Sequence, residues 1–444
     1  MPVFGTQMFG SGAKDAYEID NSCIFNDADT ATLSRTPSEG GNRKTWTISL
    51  WAKFATDASS GSALFGSGAN SAEDSFAYIQ TGGALDWIIR DSSTLRGRII
   101  TNRLFRDPSA WYHFVFRVDT TDATAGDRMR LYVNGVEETS FATDTQPAED
   151  TESTINKVST AQYIGLSRTD GGSNLWNGYL ADIHLIDGTA LTASSFGETN
   201  DEGVWVPKAY SGSYGTNGIY LKFQDSSALG DDTSGNGNDY TANNLAAADQ
   251  STDTPTNNHC IVNGIDSLAD TWTITQGNKF PAQAANNSRG KCNFGIDSAD
   301  TDGWYWECEL DAIPSAFTSS IGILPVDNYN TGNMADPTSN VDDEFYGVTN
   351  QTSPARTYKH IGGTSSSLDT VAMTAGQIFG VAVKGNKIWI AKNNVWWGSG
   401  DPSAGSNELG SITAGLYYPV HGARGGTSGT NFKYSFAEAE WTYS

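Results

Sequence analysis

The sequence predicts an all-β chain made of two tandem antiparallel β-sandwiches behind an extended N-terminal arm. Three observations carry this. Short aromatic and β-branched runs alternate with polar residues at period two, the spacing that puts every second side chain on one face of a strand. These runs are separated by tracts rich in Gly, Ser, Thr, Asn and Asp, and 11% of residues are aromatic, a composition suited to strands and turns. No amphipathic helical run exceeds about two turns by the same periodicity test. With 444 residues, the chain has room for two or three domains.

The clearest stretch runs from Trp111 to Phe141, WYHFVFRVDTTDATAGDRMRLYVNGVEETSF. Tyr112, Phe114, Phe116 and Val118 alternate along a first strand. After a polar loop, Met129, Leu131 and Val133 share one face of a second strand, with Arg128, Arg130 and Tyr132 on the other. Asn134-Gly135 then marks a type I′ hairpin, which needs φ > 0 at both central residues. A third strand leaves through Val136.

Around this hairpin the chain divides by texture. Residues 1–14 are Gly-rich with Val3, Phe4, Met8 and Phe9 scattered among them. Such an arm cannot build a core: it is either a frayed terminus or an extended anchor inserted into another subunit, and the anchor, through Phe4, Met8 and Phe9, is the reading carried forward. Residues 15–203 form the first sandwich, with strands at Thr45 to Phe54, Phe76 to Gln80, Leu85 to Arg90, Gln162 to Ser167 and Gly178 to Ile186. The acidic loop from Asp144 to Ser159 is long and is expected to be mobile. ALTASSFG (Ala190–Gly197) reads as a single helical turn ended by its glycine. Residues 204–258 are turn-rich, with one strand at Gly218 to Gln224, and either complete the first sandwich or link it to the next. Residues 259–444 repeat the strand logic, and Gly385-Asn386 supplies a second two-residue hairpin between VAVK and KIWIAK.

Two resemblances follow from these motifs. TWTISLWAKF, WYHFVFRVD, RLYVNGV, QYIGLSR and WNGYLADIHLID, in that order over residues 15–203, resemble the strands of LamG, or concanavalin A-like, jelly-roll domains. LKFQDS and DDTSGNGNDYT resemble the opening strand and loop of many LamG domains, here placed after the jelly roll, as in a circularly permuted edge. GWYWECELD, QIFGVAVKGNKIWIAKNNVWW, SITAGLYYPVHG and NFKYSF, between Gly303 and Phe436, resemble a SPRY domain, a bent sandwich that binds partners through loops and has no catalytic centre. The tandem order behind a Gly-rich start is similar to virion proteins of marine bacteriophages. That resemblance implies a non-enzymatic tail fibre, spike, capsid decoration or head fibre that attaches to a host-surface glycan or protein. It implies a chain assembled in the host cytoplasm, joined to other virion proteins through its arm, and homo-oligomeric. The runner-up is a secreted or cell-surface carbohydrate-binding adhesin, and the third class a glycoside hydrolase of the concanavalin A-like fold.

Composition narrows the partners. A net charge of −24 opposes binding to bare nucleic acid and to an acidic membrane surface. No run of 18 apolar residues suggests a membrane span, and the first twenty residues lack the basic start and apolar core of an export signal. The four cysteines, Cys23, Cys260, Cys292 and Cys308, show no CxxC spacing and read as free thiols, with a Cys292–Cys308 bridge as the alternative.

The chemistry-bearing residues are sparse. His113, His184, His259, His360 and His421 form no HxH, HExxH or Cys/His pair. No nucleophile elbow or Walker loop occurs. Glycoside hydrolysis needs two carboxylates roughly 5–5.5 Å or 6.5–9.5 Å apart. Tyr17 to Cys23 lacks the second Glu of the endoglucanase strand, and Glu307, Glu309 and Asp311 alternate on what is expected to be a solvated face. No catalytic residue is assigned. Asp231, Asp232, Asn236, Asn238 and Asp239 crowd one Gly-punctuated loop. They suit either a calcium ion or a hydrogen-bonded turn network, and calcium is the only cofactor in view. Exposed aromatics could stack on sugar rings; Trp87, Trp176, Trp205, Trp396 and Trp397 are the candidates, with core packing the alternative for each, and Trp396, Trp397 and Trp176 are the ones carried forward. Trp396 and Trp397 are adjacent on a strand and must face opposite sides.

Overall fold

In a computed structural model, the structure describes residues 17–55, 61–168, 174–263, 272–283, 288–313, 318–326, 345–352, 355–424, 429–436 and 441–443. The proposed anchor residues Phe4, Met8 and Phe9 lie outside these. The chain divides between Asn258 and His259 into two compact units, each built on a pair of large antiparallel sheets, the first with an added two-stranded ribbon of Gly197–Thr199 and Trp205–Pro207. No helix among the described residues is long and apolar enough to cross a membrane.

One sheet of the first unit runs, in spatial order, through Val136–Glu137, Met129–Val133, Tyr112–Asp119, Thr45–Phe54, Gly178–Asp187, Ser22–Phe25 and Gln250–Ser251. The other runs through Phe141–Thr145, Thr94–Leu104, Ala84–Asp91, Glu73–Ile79, Ser62–Asn70, Gln162–Ile164, Thr32–Arg35 and Thr241–Asn243. Alternation decides which side chains enter the layer between them. Phe114, Phe116, Val118, Met129, Leu131 and Val133 all enter it, with Trp46, Trp87 and Trp176. Asn134 (φ 48°) and Gly135 (φ 81°) take the left-handed conformations of a type I′ turn.

The 204–258 segment belongs to both sheets. Ile219–Leu221 pairs with Gly178–Asp187, Thr241–Asn243 with Thr32–Arg35, and Gln250–Ser251 with Ser22–Phe25. Buried polar contacts fasten it. Lys53 and Asp253 are both fully buried and pair at 2.8 Å, and the Trp111 indole N–H donates to Asp253 at 3.0 Å. Asp182 sits at a bulge in the Gly178–Asp187 strand with φ 50°. Its carboxylate accepts the phenol O–H groups of Tyr17 (2.9 Å) and Tyr220 (2.7 Å) and faces His184 Nε2 at 3.2 Å. A β-bulge re-aims a side chain in this way.

Two local expectations are corrected. The 144–159 loop is not a free excursion: Ser153, Thr154, Ile155 and Asn156 are buried. Trp46 donates to Ser153 Oγ at 2.9 Å, and Asn156 Nδ2 donates to Asp187 Oδ1 at 3.0 Å. The ALTASSFG turn shrinks to a 3₁₀ turn at Ala193–Ser195, and Gly197 starts the short strand Gly197–Thr199.

In the second unit, one sheet orders Trp272–Thr275, Phe280–Gln283, Asn431–Ser435, Trp304–Ala312, Gln377–Lys384, Lys387–Lys392 and Val395–Trp396. The other orders Ser288–Lys291, Leu416–Arg424, Thr318–Pro325, Tyr346–Thr352, Ala355–Ile361 and Thr364–Asp369. Gly385 (φ 55°) and Asn386 (φ 61°) again form a left-handed turn. All four cysteines are thiols, and burial pushes the Cys292 and Cys308 thiols up.

Candidate binding cleft

The Asp231–Asp239 loop follows directly from the Ile219–Leu221 strand, where Phe223 turns the chain through φ 58°. Asp232, nearly buried, organises it. Its Oδ1 accepts the backbone N–H groups of Tyr220 (2.8 Å) and Ser234 (2.9 Å), and its Oδ2 accepts Ser234 Oγ–H (2.8 Å) and Asn238 N–H (2.9 Å). Asp239 Oδ1 accepts Asp232 N–H at 2.9 Å. Asn236 Nδ2 donates to the Gly215 and Gly218 carbonyls, and Asn238 Nδ2 to those of Thr216 and Gly218.

This is the geometry of a hydrogen-bonded turn network. Four donors fill the roughly four acceptor sites of the Asp232 carboxylate, while Asp231, Asn236 and Asp239 stand exposed around it. Among the described residues, no group of three or more His, Cys, Asp or Glu side chains is placed to hold a metal. The Asp232 carboxylate and Asp239 Oδ1 turn toward loop donors, and Asn238 Oδ1 toward the Arg35 guanidinium, so these oxygens serve the turn network rather than converge on one another.

The loop instead walls two clefts. A polar one of about 440 Å³ opens against the Thr32–Arg35 and Gln162–Ile164 strands, lined by Ser34, Arg35, Thr36, Ser38, Tyr163, Asn238 and Asp239. A second, of about 370 Å³, shares Asp239 and is lined by Leu229, Asp231, Tyr240 and Leu245 among others. Arg35 ties the polar cleft together, because its Nη2 donates to the Oδ1 atoms of Asn217 (3.2 Å) and Asn238. Burial pulls the guanidinium below its usual range, while Tyr240 and the Asp232, Asp187 and Asp239 carboxylates pull the other way. The cleft thus offers a fixed guanidinium, amides, hydroxyls and one exposed carboxylate to a polyhydroxylated ligand.

The tryptophans divide. Trp176 is fully buried in the first core, 5.1 Å from the Phe54 ring, so it presents no face to a ligand. Its strand flank reads alike for core and surface, and only packing against Phe54 decides it. Trp396 and Trp397 are both half-buried but do not share a strand as expected: the strand Val395–Trp396 ends at Trp396, which leans on Tyr305 at 6.2 Å, and Trp397 opens the 3₁₀ turn Trp397–Ser399 and leans on Phe379 at 6.1 Å with Lys392 over its ring.

The carboxylates are engaged. Glu307 is buried, not solvated, and accepts Thr442 N–H (2.7 Å), Tyr443 N–H (2.9 Å) and Tyr305 O–H (3.0 Å). Sequence reading also missed Asp74 and Asp86 on the outer face of the first sandwich. Both are fully buried and paired to arginines. Asp86 lies opposite Tyr78, four residues along from Asp74, so the two stand about 13 Å apart at roughly 3.3 Å per residue. Glycosidic cleavage needs at most about 9.5 Å. An outward Asp inside each of EDSFAYI and ALDWIIRD was the available signal.

No curated protein sequence matches the chain. Among solved structures, a native heptameric SAP-like pentraxin from Limulus polyphemus aligns at 19% identity and TM-score 0.32, covering 44% of this chain and 94% of its own. The SPRY domain of human HERC1 aligns at 12% identity and TM-score 0.29, covering 38% and 93%. Domains LG4-5 of the mouse laminin alpha1 chain align at 10% identity and TM-score 0.31, covering 92% and 84%. Residues 26–195, within the first sandwich, match the family model Laminin_G_3, the Concanavalin A-like lectin/glucanases superfamily.

Proposed function

We propose that the chain is a non-enzymatic virion protein of a bacteriophage, a tail fibre, spike, capsid decoration or head fibre, that attaches the particle to a host-surface glycan or protein. The polar cleft beside Arg35, Asn238 and Asp239 carries this reading. It holds donors and acceptors in fixed positions for hydroxyl groups, and the lectin/glucanase match over residues 26–195 supports a sugar as ligand. The engagement of Asp74, Asp86 and Glu307 supports binding without catalysis. The virion placement rests on the tandem order of the sandwiches behind a Gly-rich arm, which joins other virion proteins through Phe4, Met8 and Phe9 in a homo-oligomer.

The test pairs a glycan array with the wild-type chain and Arg35→Gln. Binding to defined glycans that Arg35→Gln weakens about tenfold is expected. An array on which neither protein binds removes the glycan from the reading. Immunogold labelling of purified particles separates the virion from the alternative, a secreted or cell-surface adhesin: label on particles is expected, and label on host cells alone overturns the placement.

A further inference from the structure

In the second unit, the outer face of one sheet is occupied by a piece of its own chain. Trp306, Cys308 and Leu310 enter the core along Trp304–Ala312. So do Phe379, Val381 and Val383 along Gln377–Lys384, and Ile388 and Ile390 along Lys387–Lys392. Tyr305, Glu307, Gly380, Ala382 and Ala391 therefore lie on the outer face. The register sets Ala382 opposite Tyr305, Gly380 opposite Glu307 and Trp396 opposite Ala391, so Trp396 stands on this face too. A Cβ added at Gly380 would lie 2.5 Å from the Tyr305 hydroxyl, so the glycine makes room for that ring across its strand.

Residues 441–443 lie over this face. The Trp441 ring meets Tyr305 edge-on, with 4.6 Å between centroids. Each Glu307 oxygen takes one backbone N–H from the segment: Oε2 from Thr442 at 2.7 Å, and Oε1 from Tyr443 at 2.9 Å. The Tyr305 O–H adds a third donor to Oε1 at 3.0 Å. Glu307 points outward yet is only 2% exposed. None of the ion pairs among the described residues of this unit includes it.

This is recognition of main chain. A carboxylate that clamps two successive N–H groups reads no side chain, so the face asks for an aromatic residue followed by two residues other than proline. The attachment is also short: one carboxylate and one ring contact hold three residues, the kind of contact that opens far more readily than the whole domain unfolds. When it opens, Glu307 regains water and the Tyr305 ring is uncovered. Every copy of the chain carries both halves of the contact. Made between copies it would use the groups already used within one, the low-cost route to pairing by exchange of an identical element.

We propose that this face is a peptide-docking groove with an exchangeable occupant, and that a second copy of the chain seats its own 441–443 segment on Glu307 and Tyr305. Within one chain the resident segment is held at high effective concentration and so limits the exchange. The groove belongs to the second unit and the Arg35 cleft to the first, so the two readings fail independently.

The experiment uses full-length variants and a fluorescent peptide of residues 437–444, at moderate salt to screen repulsion between chains of charge −24. Trp441→Ala disables the resident segment and is expected to bind the peptide at least tenfold tighter than the wild-type chain, whose own segment competes. Thr442→Pro deletes one backbone donor and opens the groove by a second route. Both changes lie on the segment rather than in the sandwich, so melting temperature should move little. Adding Glu307→Gln to Trp441→Ala puts an amide donor where two acceptors are used and should weaken the peptide about tenfold. Exchange between copies is read by capture. Fluorescent Glu307→Gln chain, with an intact segment and a crippled groove, is expected on immobilised Trp441→Ala chain at least tenfold more than on immobilised Glu307→Gln chain. Association through any other surface would be equal on the two. Peptide binding that neither opening variant improves, or that Glu307→Gln leaves unchanged, overturns the groove. Equal capture on both immobilised chains overturns the second copy as its occupant.

Discussion

The two sandwiches solve the same problem, a polar group inside a β-core, with different chemistry. In the first, cations meet buried carboxylates: Lys53 with Asp253, Arg90 and Arg168 with Asp74, Arg98 with Asp86. In the second, the ion pairs among the described residues leave both partners at least a fifth exposed, as with Lys392–Asp369 at 21% and 26%. Its buried Glu307 is held by neutral backbone amides and a phenol, and His360 and His421 by hydroxyl groups. Chain path accounts for one of these pairs. The Asp74–Arg90 and Asp86–Arg98 pairs tie neighbouring strands on the outer face, whereas Lys53–Asp253 fixes the turn-rich return, residues 204–258, onto the sheet.

Breaking that ion pair should have the largest effect. Lys53→Met leaves Asp253 buried without its cation and is expected to cost the first sandwich about 3–5 kcal/mol, read from its urea unfolding transition. The double change Lys53→Met with Asp253→Leu should recover most of the loss. A single-variant cost below about 1 kcal/mol would remove buried charge as the point of contrast.

Acid should separate the units next. Burial drops His421 to about 3 and His360 to about 4 in the second sandwich, and His113 to about 3 in the first. The Trp205 indole N–H donates to His113 Nδ1, so Nε2 carries the proton toward Ser49 Oγ and the ring is neutral. Unfolded imidazoles bind a proton below about 6.5, whereas these folded ones do not until pH 3–4. The stability they contribute is complete above about pH 6.5 and falls as pH drops toward the folded values. The loss is on the order of several kcal/mol by pH 4. It should be steeper in the second sandwich, where His360 and His421 add. Urea midpoints at pH 7 and 4.5 check this, and His421→Gln should flatten the second profile. Equal slopes in both units would contradict it.

The smallest effects come from one turn used twice. Gly135 (φ 81°) would place a new Cβ 2.3 Å from the Trp205 ring, whereas one at Gly385 (φ 55°) would meet nothing within 4 Å. Gly385→Ala should therefore cost only the left-handed strain, about 1 kcal/mol. Gly135→Ala should cost about 2–3 kcal/mol, because Trp205 is held by His113 and cannot yield freely. Matching melting-temperature shifts for the two variants would show that Trp205 moves aside.

Much of the fold was legible locally. The alternation in YHFVFRV and MRLYV named the core-facing side chains, and Asn134-Gly135 and Gly385-Asn386 named their hairpins, because period and turn chemistry act over a few residues. The candidate site was legible only in part. DDTSGNGNDYT announced a tight polar loop, but not that Arg35, almost 200 positions earlier, closes the cleft beside it. Trp176 looked like a sugar platform and is core. The Asp144–Ser159 tract looked solvated and is pinned by Trp46 and Arg43.

By itself, then, the sequence determined the all-β class, the hairpins and the inward faces, since these follow from steric rules within each strand. Tertiary structure alone decided where the charges lie. Asp74, Asp86, Asp253 and Glu307 read as surface residues in any local window. Each is buried because partners from another strand, loop or the 442–443 segment satisfy it (Arg98 on the next strand for Asp86, Lys53 200 positions away for Asp253), and the cost of an unpaired charge is settled only when those elements meet.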